Sequence, residues 1–488
     1  MADSQDLDAA GDNVPLISSA LDDEEDDSLS RRRTTLSKQP PANNFLYKSA
    51  NQITCLKFSP DGAFLAVGNK IGHLTLLRRQ GSIDSESADG SLQHRYCPCI
   101  TFQSHQTEFD YLKSLEIEAR IAQIEWIKSQ SQARLLLSAN DKTIKMWRIN
   151  EHIRVPDRLL TNEQILLKSF KNDHLLFKNS KCNGGESEVE DMDCFSANDA
   201  NETYSDVIKV TRSRVWSKGH TYQINSISSN SDQELFLAAD DLRINIWHLD
   251  VTDECFNIMD IKPTKMEELI EVITTASFHP VHCNIFAYGT SRGSLRLCDM
   301  RDSALCDRPS QVFEDESPKS FFSEIASSIS DAKFSHDGRL ILTRDYLSMK
   351  IWDLRMSSEP AHNYILYEFP DSKLFDLYEE DIMLDKFECC WSENDRYVGC
   401  GLYTDLFRVF DHNSMEKQTR IYQAKSSVAK STPNILSKNG KSRKEYQTCL
   451  EPHAVDFKRK VLHCSWNADD VVAMATGREL YLLSEPFC

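Results

Sequence analysis

One short pattern recurs along the chain and limits what it can become. An apolar strand runs into a polar turn of two to four residues, and a second, alternating strand follows that carries an aromatic residue or a cysteine near its end. Five copies are clear: LLLSANDKTIKMWRI (135–149), LFLAADDLRINIWHL (235–249), IFAYGTSRGSLRLCDM (285–300), LILTRDYLSMKIWDL (340–354) and YVGCGLYTDLFRVFD (397–411). Alternation on either side of a short polar turn predicts a β-hairpin, because successive strand side chains point to opposite faces. The register is fixed. Asn140, Asp240, Ser291, Asp345 and Tyr403 stand seven residues before Trp147, Trp247, Cys298, Trp352 and Phe410, respectively. Two weaker copies, FLAVGNKIGHLTLL (64–77) and VAMATGRELYLL (472–483), flank the five.

A further strand precedes many of these hairpins, as in ITCLKFSPDG (53–62), IAQIEWI (121–127), INSISSNSD (224–232), ITTASFHP (273–280), ISDAKFSHDG (329–338) and VLHCSWNAD (461–469). Three strands in series make three-quarters of a propeller blade. Seven such units predict an all-β fold, a seven-bladed WD-repeat β-propeller. The usual period is ~40–45 residues per blade, so the surplus length falls in the connections. The fullest copy opens on Gly219-His220, turns at Asp240 or Asp241 and closes on Trp247, and Trp352-Asp353 is the only literal Trp-Asp pair. His, Asp and the strand-end Trp of such a copy are expected to hydrogen-bond within their blade, a structural duty rather than a ligand-binding one.

Three stretches do not repeat. Residues 1–45, with ten acidic and four basic residues, read as a disordered acidic tail ahead of a propeller over 46–488. Within the tail, Arg31-Arg32-Arg33 before Thr34 and Thr35 offers a basophilic kinase site, although a solvated tail of mixed charge is the simpler explanation of the run. Residues 150–215 form a long inter-blade insertion, whose portion 182–206 holds eight acids and no base. Residues 424–447 reverse the charge, six basic against one acidic, and read as an exposed basic loop that doubles as a candidate nuclear-localisation patch.

The formal net charge of −19 repels phosphate backbones and attracts basic protein segments, which argues against nucleic-acid binding. No run approaches the ~18 apolar residues that span a bilayer, and the first residues carry no signal-peptide pattern. The fifteen cysteines are scattered and odd in number. The closest pairs, Cys97-Pro-Cys99 and Cys389-Cys390, lack the second pair a metal site needs. These features predict reduced, buried thiols in a soluble cytoplasmic protein without membrane contact. No H-E-x-x-H, phosphate-binding glycine loop or nucleophile elbow is present. The expectation is a binding protein with no catalytic residues, metal or cofactor.

Longer wording goes beyond the generic repeat. SHQTEFDYLKSLEIE (104–118), GHTYQINSISSNSD (219–232), FNIMDIKPTKMEELIEVITTASFHP (256–280), SFFSEIASSISDAKFSHDGR (320–339) and LYEEDIMLDKFECCW (377–391) resemble the B-family (55 kDa class) regulatory subunits of protein phosphatase 2A. The resemblance implies a propeller that joins a helical-repeat scaffold subunit and a catalytic subunit in a heterotrimer. It also implies that the propeller offers basic phosphoprotein substrates an acidic groove on its top face. Carried over residue by residue, Tyr222, Asp241 and Leu269 are implied substrate-groove positions, and Phe321, Phe322, Tyr378 and Glu379 further ones on the same face. Asp241 would pair with a substrate Arg or Lys, leaving Asp240 for the blade turn. There are departures. Gln223 stands where the family commonly has His, and Leu384 where it has Phe. Asn69-Lys70-Ile71-Gly72 replaces an Asp-Lys-Gly-Gly-like turn, which is expected to remove an acid from the rim, and 150–215 does not match the wording of the family's scaffold-reaching hairpin arm. The competing reading is a WD-repeat substrate receptor of a cullin-RING ubiquitin ligase, on the strength of Trp352-Asp353-Leu354-Arg355 with Asp345 ahead of it. That box is short and common in propellers.

The absence of any ligand cluster in the sequence gives a first prediction. The purified chain hydrolyses no phosphoester and carries no stoichiometric metal; elemental analysis finding one tightly held transition metal per chain overturns it.

Overall fold

The computed structural model describes residues 45–80, 95–111, 114–128, 133–156, 204–303, 305–315, 320–356, 358–414, 419–424 and 455–484. Thr34, Thr35, the tail before Phe45, the acidic centre of the insertion and the basic loop after Ala424 lie outside them. Seven four-stranded antiparallel sheets form a seven-bladed β-propeller. Blades 1 to 6 occupy residues 53–103, 123–216, 224–260, 273–313, 331–365 and 389–423, each with its strands in chain order from inner to outer. Blade 7 takes its three inner strands from 461–484 and its outer strand from Phe45–Lys48, which pairs antiparallel with Glu479–Ser484.

The second strands are mostly apolar and buried because a blade packs on both neighbours. Phe64–Asn69 is buried at every position, and Leu235–Asp240 at all but the first. The core is therefore a set of layers between blades. Phe64, Leu74 and Leu76 of blade 1 pack with Ile124, Trp126, Leu136 and Trp147 of blade 2. Burying a side chain of this size stabilises the fold by about 1.5–3 kcal/mol relative to exposure. Outer strands such as Gln311–Phe313 and His362–Ile365 are only partly covered, and their mixed composition gave no strand signal.

Inner strands are also tied edge to edge. The Trp126 indole donates to the Lys57 carbonyl at 3.1 Å, and Trp391 repeats the bond to Lys333 at 3.0 Å. The Phe58 amide donates to Ser465 Oγ at 3.2 Å, joining the first blade to the last.

One buried oxygen organises the turn between the second and third strands. Asp240 Oδ1 accepts from the amides of Leu242 (2.9 Å) and Arg243 (2.8 Å). Asn140 does the same for Lys142 and Thr143, and Asp345 for Leu347 and Ser348. Asn69 takes this place in blade 1, accepting from Ile71 and His73 while itself buried. The Asn for Asp departure there changes a turn acceptor and removes no rim charge, which corrects the expectation above. In blade 4 the turn is one residue longer, with Gly293 at φ 82°, so Thr290 rather than Ser291 stands at the turn and bonds Ser294 Oγ at 2.9 Å.

The expected His–Asp–Trp network is only partly present in blade 3. His220 Nδ1 meets Asp240 Oδ2 at 3.2 Å, yet the Trp247 indole N–H has no partner among the described residues. Ala238 stands where blade 2 has Ser138, and a Cβ on Gly219 would strike the Trp247 ring. Blade 2 holds the fuller network: the Trp147 indole donates to Ser104 Oγ (3.1 Å) and Ser138 Oγ (3.0 Å), and Ser104 Oγ meets His105 Nδ1 at 3.0 Å. Burial, aided by the nearby Lys145 cation, pushes His105 down to about 3, so it serves as a neutral ring.

The flanks of the 150–215 insertion are strands. Ile144–Pro156 pairs with Tyr204–Trp216, through Asn150↔Lys209 and on to Pro156↔Tyr204. The neighbouring strand Arg134–Ala139 stops pairing at Ile149. Beyond it the two continue as a free ribbon, a hairpin-arm backbone under unfamiliar wording.

Closure of the ring is open to test. A chain beginning at Ser49 lacks the outer strand of blade 7, including the half-buried Leu46 and Tyr47. Compared in urea denaturation with a chain beginning at Phe45, it should lose on the order of 3 kcal/mol; equal midpoints would show that the ring does not need this strand. A third prediction concerns pH. His336 Nδ1 meets Asp395 Oδ1 at 2.7 Å across blades 5 and 6, with Glu393 at 3.5 Å. The hydrogen bond to Asp395 raises the imidazole above its ordinary value, although partial burial opposes this. The raised group favours the folded state most below pH ~6.5, and the benefit fades as pH rises through the folded value. His336→Asn should therefore lower Tm at pH 6 by about 1–2 °C and by less at pH 8.5; a gap that widens with pH contradicts this.

Candidate functional site

The antiparallel order of each blade decides which loops share a face. An inner strand begins, a second strand ends and the preceding outer strand ends on the same side. Connections between blades and the turns between second and third strands therefore gather on one face. Tyr222 lies in the connection into blade 3, Leu269 in that into blade 4, Phe321 and Phe322 in that into blade 5, and Tyr378 and Glu379 in that into blade 6. Asp241 belongs to the blade 3 turn. All seven residues occupy the one face, in two groups.

The first group lies on the connections next to the Asp241 turn. Its carbonyl accepts from the Ile273 amide at 2.8 Å, where the inner strand of blade 4 begins four residues after Leu269. Ile224, two residues after Tyr222, pairs with Asp240. Asn225 bonds the Ile273 carbonyl through Nδ2 at 2.7 Å and also reaches the Asp241 carboxylate. Leu269 ends a short 3-10 turn, Met266–Glu268, and is half-buried. Asp240 and Asp241 differ sharply in duty. Asp240 is fully buried; burial alone would raise it, but His220 and the two turn amides hold it below the usual carboxylate value. Asp241 is half-buried, and burial raises it, with the Asp240 charge adding and Lys386 opposing.

Lys386 was not singled out from the sequence. It lies before the inner strand of blade 6, yet its charge senses Asp241 of blade 3 and Arg120 ahead of blade 2, so these groups face one another across the channel mouth. It keeps solvent contact, but loss of water in this crowded mouth, together with Arg120, lowers its ammonium while Asp241 pulls it up. Asp141 is the blade 2 counterpart of Asp241, following the turn acceptor Asn140; burial raises it, against Arg120 and Lys142. That spacing was readable. The approach of Lys386 was not, because 145 residues separate it from Asp241.

The second group is aromatic. Helix α1 (Phe321–Ala326) starts at Ser320, whose hydroxyl accepts from the Ser323 amide at 3.3 Å, and helix α2 (Asp371–Glu379) starts after Pro370. Phe321 and Phe322 meet edge to face at 5.1 Å, and Tyr378 stands 6.2 Å from the first and 6.1 Å from the second. Phe375 closes the group, 6.0 Å from Phe322. Beside it, Tyr378, Glu379, Asp381, Met383 and Leu384 line a pocket of about 490 Å³. Leu384 is 69 % exposed there, so it offers an apolar surface. Arg292 of the blade 4 turn pairs with Glu324 of α1 at 3.3 Å, linking the two groups through the chain between them.

Among the described residues no helix is long and apolar enough to cross a membrane. The Asp353 side chain of the Trp-Asp pair is engaged by Arg339 at 3.1 Å and by the Arg355 amide at 3.0 Å.

Comparison with known proteins agrees with this architecture. The family model for the WD domain, G-beta repeat, matches residues 44–72 and 212–248. The gamma isoform of the 55 kDa B-type regulatory subunit of serine/threonine-protein phosphatase 2A from rabbit (Oryctolagus cuniculus) is 44 % identical over 443 residues, covering 89 % of this chain and 93 % of the relative. The human protein of the same description is 43 % identical over the same shares. The phosphatase 2A regulatory subunit sur-6 of Caenorhabditis elegans is 42 % identical over 460 residues, covering 90 % of this chain and 88 % of the relative. These relatives are regulatory rather than catalytic subunits, and none supports the ubiquitin-ligase reading. With identity of this order along nine-tenths of its length and seven blades to carry it, the chain belongs to the family of 55 kDa B-type regulatory subunits of serine/threonine-protein phosphatase 2A.

Proposed function

We propose that the chain joins the phosphatase 2A scaffold and catalytic subunits in a heterotrimer and brings basic segments of phosphoproteins to the face that bears Asp241. Tethering raises the local concentration of substrate near the catalytic subunit, which needs no chemistry from the propeller itself. One observation carries the substrate half of this reading. Asp240 satisfies the blade turn alone, so the neighbouring Asp241 carboxylate is available at the channel mouth. Half-burial makes a charge-assisted bond from Arg or Lys more favourable there than on open surface. Leu269 offers an apolar shelf beside it and Tyr222 a ring with a polar tip. A substrate cation enters where Lys386 already stands, so it must displace or share that partner.

Asp241→Lys removes an attraction and adds a repulsion. A buried, hydrogen-bonded contact is worth about 2–5 kcal/mol and an exposed one ~0–1 kcal/mol. This half-buried position falls between them, and substrate-peptide binding should weaken by about tenfold or more. Scaffold binding and Tm should stay unchanged, because Asp240 keeps the turn. Measured on one preparation, joint loss of Tm, scaffold binding and substrate binding would return Asp241 to a structural role.

A further inference from the structure

The connection into blade 7 builds a second pocket on the same face. It encloses about 270 Å³ between Gln52, Asp405, Lys458, Arg459, Lys460 and His463, with Gly477 of the blade 7 turn at its edge. Its lining is mostly cationic in a protein of net −19. Three consecutive cations line it against one carboxylate, Asp405, and Asp385 outside the lining offsets Lys460, which leaves Lys458 uncompensated. Asp456 and Glu479 stand near Asp405 without lining the cavity.

The cations are held in place to different degrees. Arg459 Nε donates to Asp405 at 2.6 Å, and Lys460 pairs with Asp385. His463 Nδ1 meets Glu388 Oε1 at 3.0 Å. Lys458 is exposed, and its ammonium has no ion-pair partner among the described residues. Two pinned cations and one free one at the mouth of a cavity suit a compact dianion better than an extended acidic surface. A phosphorylated side chain carries about −1.5 to −2 at neutral pH and three acceptor oxygens, which suit the free Lys458 ammonium with the Arg459 and Lys460 donors beside it.

Position adds the second argument. The pocket spans blades 6, 7 and 1, whereas Asp241 lies where blades 3 and 4 meet. In a ring of seven these are opposite sides of the channel mouth. We infer that this pocket takes a phosphoserine or phosphothreonine side chain from the segment whose basic residue reaches Asp241. The substrate class is then a bipolar segment, basic at one end and already phosphorylated at the other. This deepens the substrate-recruiting reading and rests on it only for the basic end.

The test uses the full-length chain and fluorescent peptides bearing an Arg-Arg pair and a serine about 6–12 residues away, an extended span of roughly 20–40 Å. Each is made with and without phosphate on that serine. At the favoured spacing, phosphate should tighten binding by at least about fivefold. Lys458→Glu should abolish that gain while leaving the unphosphorylated peptide's affinity and the Tm unchanged, and Lys458→Gln should reduce it. Asp241→Lys should weaken both forms. If Asp241→Lys changes neither while the Lys458-dependent gain persists, the pocket stands and the basic anchor fails. No phosphate gain at any spacing, or a gain that survives Lys458→Glu, overturns the inference.

Discussion

A buried side-chain oxygen that accepts two turn amides is the contact on which the working face depends. Asn69, Asn140, Asp240 and Asp345 each supply one. Left without it, two amides per hairpin would be buried unpaired, at about 1–3 kcal/mol each. The acceptor must point into the blade, so the next residue is directed to the channel mouth. That residue is Lys70 in blade 1, Asp141 in blade 2 and Asp241 in blade 3, whereas in blade 5 it is Tyr346, which turns into the core and meets the Tyr403 hydroxyl at 3.1 Å. A local hydrogen-bonding requirement thus fixes where the residue after the acceptor stands, while its chemistry varies from blade to blade.

The charges so displayed are not idle in the free chain. Asp241 is opposed by Lys386, and Asp141 by Arg120 and Lys142. Binding of a partner cation is then an exchange of one counter-ion for another, made in surroundings where each charge has already lost part of its water. Such exchanges contribute modest net affinity but discriminate strongly, since a partner with the wrong charge pattern leaves several groups uncompensated. Acidic and basic regions on one face also orient an approaching segment before contact, by steering that weakens with salt.

Much of the fold was legible because its second and third strands obey simple patterns. LLLSA, LFLAAD and IFAYGT are buried on both sides and read as continuous apolar runs, while the third strands alternate up to an aromatic or cysteine. Outer strands were invisible: QVF and HNYI are short and touch a neighbour on one side only. Helices α1 and α2 have six and nine residues, too few for a helical period to stand out. The ribbon beyond Asn150 was hidden for a different reason, because its two strands lie far apart in sequence and no local pattern encodes their pairing. At the candidate site, Asp241 was separable from Asp240 once the turn was recognised, and Asp141 by the same rule. Lys386 depends on which blades face each other across the ring, and the Lys458 pocket on the closure that sets blade 1 beside blade 7, which no local pattern encodes.

The shared seventh blade also sets a timetable. Tyr47 pairs with Leu480, so the outer strand leaves the ribosome 433 residues before its partner. At about 5–20 residues per second, translation alone separates them by roughly 20–90 s. Throughout that interval the nascent chain carries an orphan edge strand, and blade 1 has no neighbour on its blade 7 side. Unpaired strand edges are where β proteins aggregate. Synthesis of this chain therefore leaves a defined strand edge unpaired until its last strands emerge.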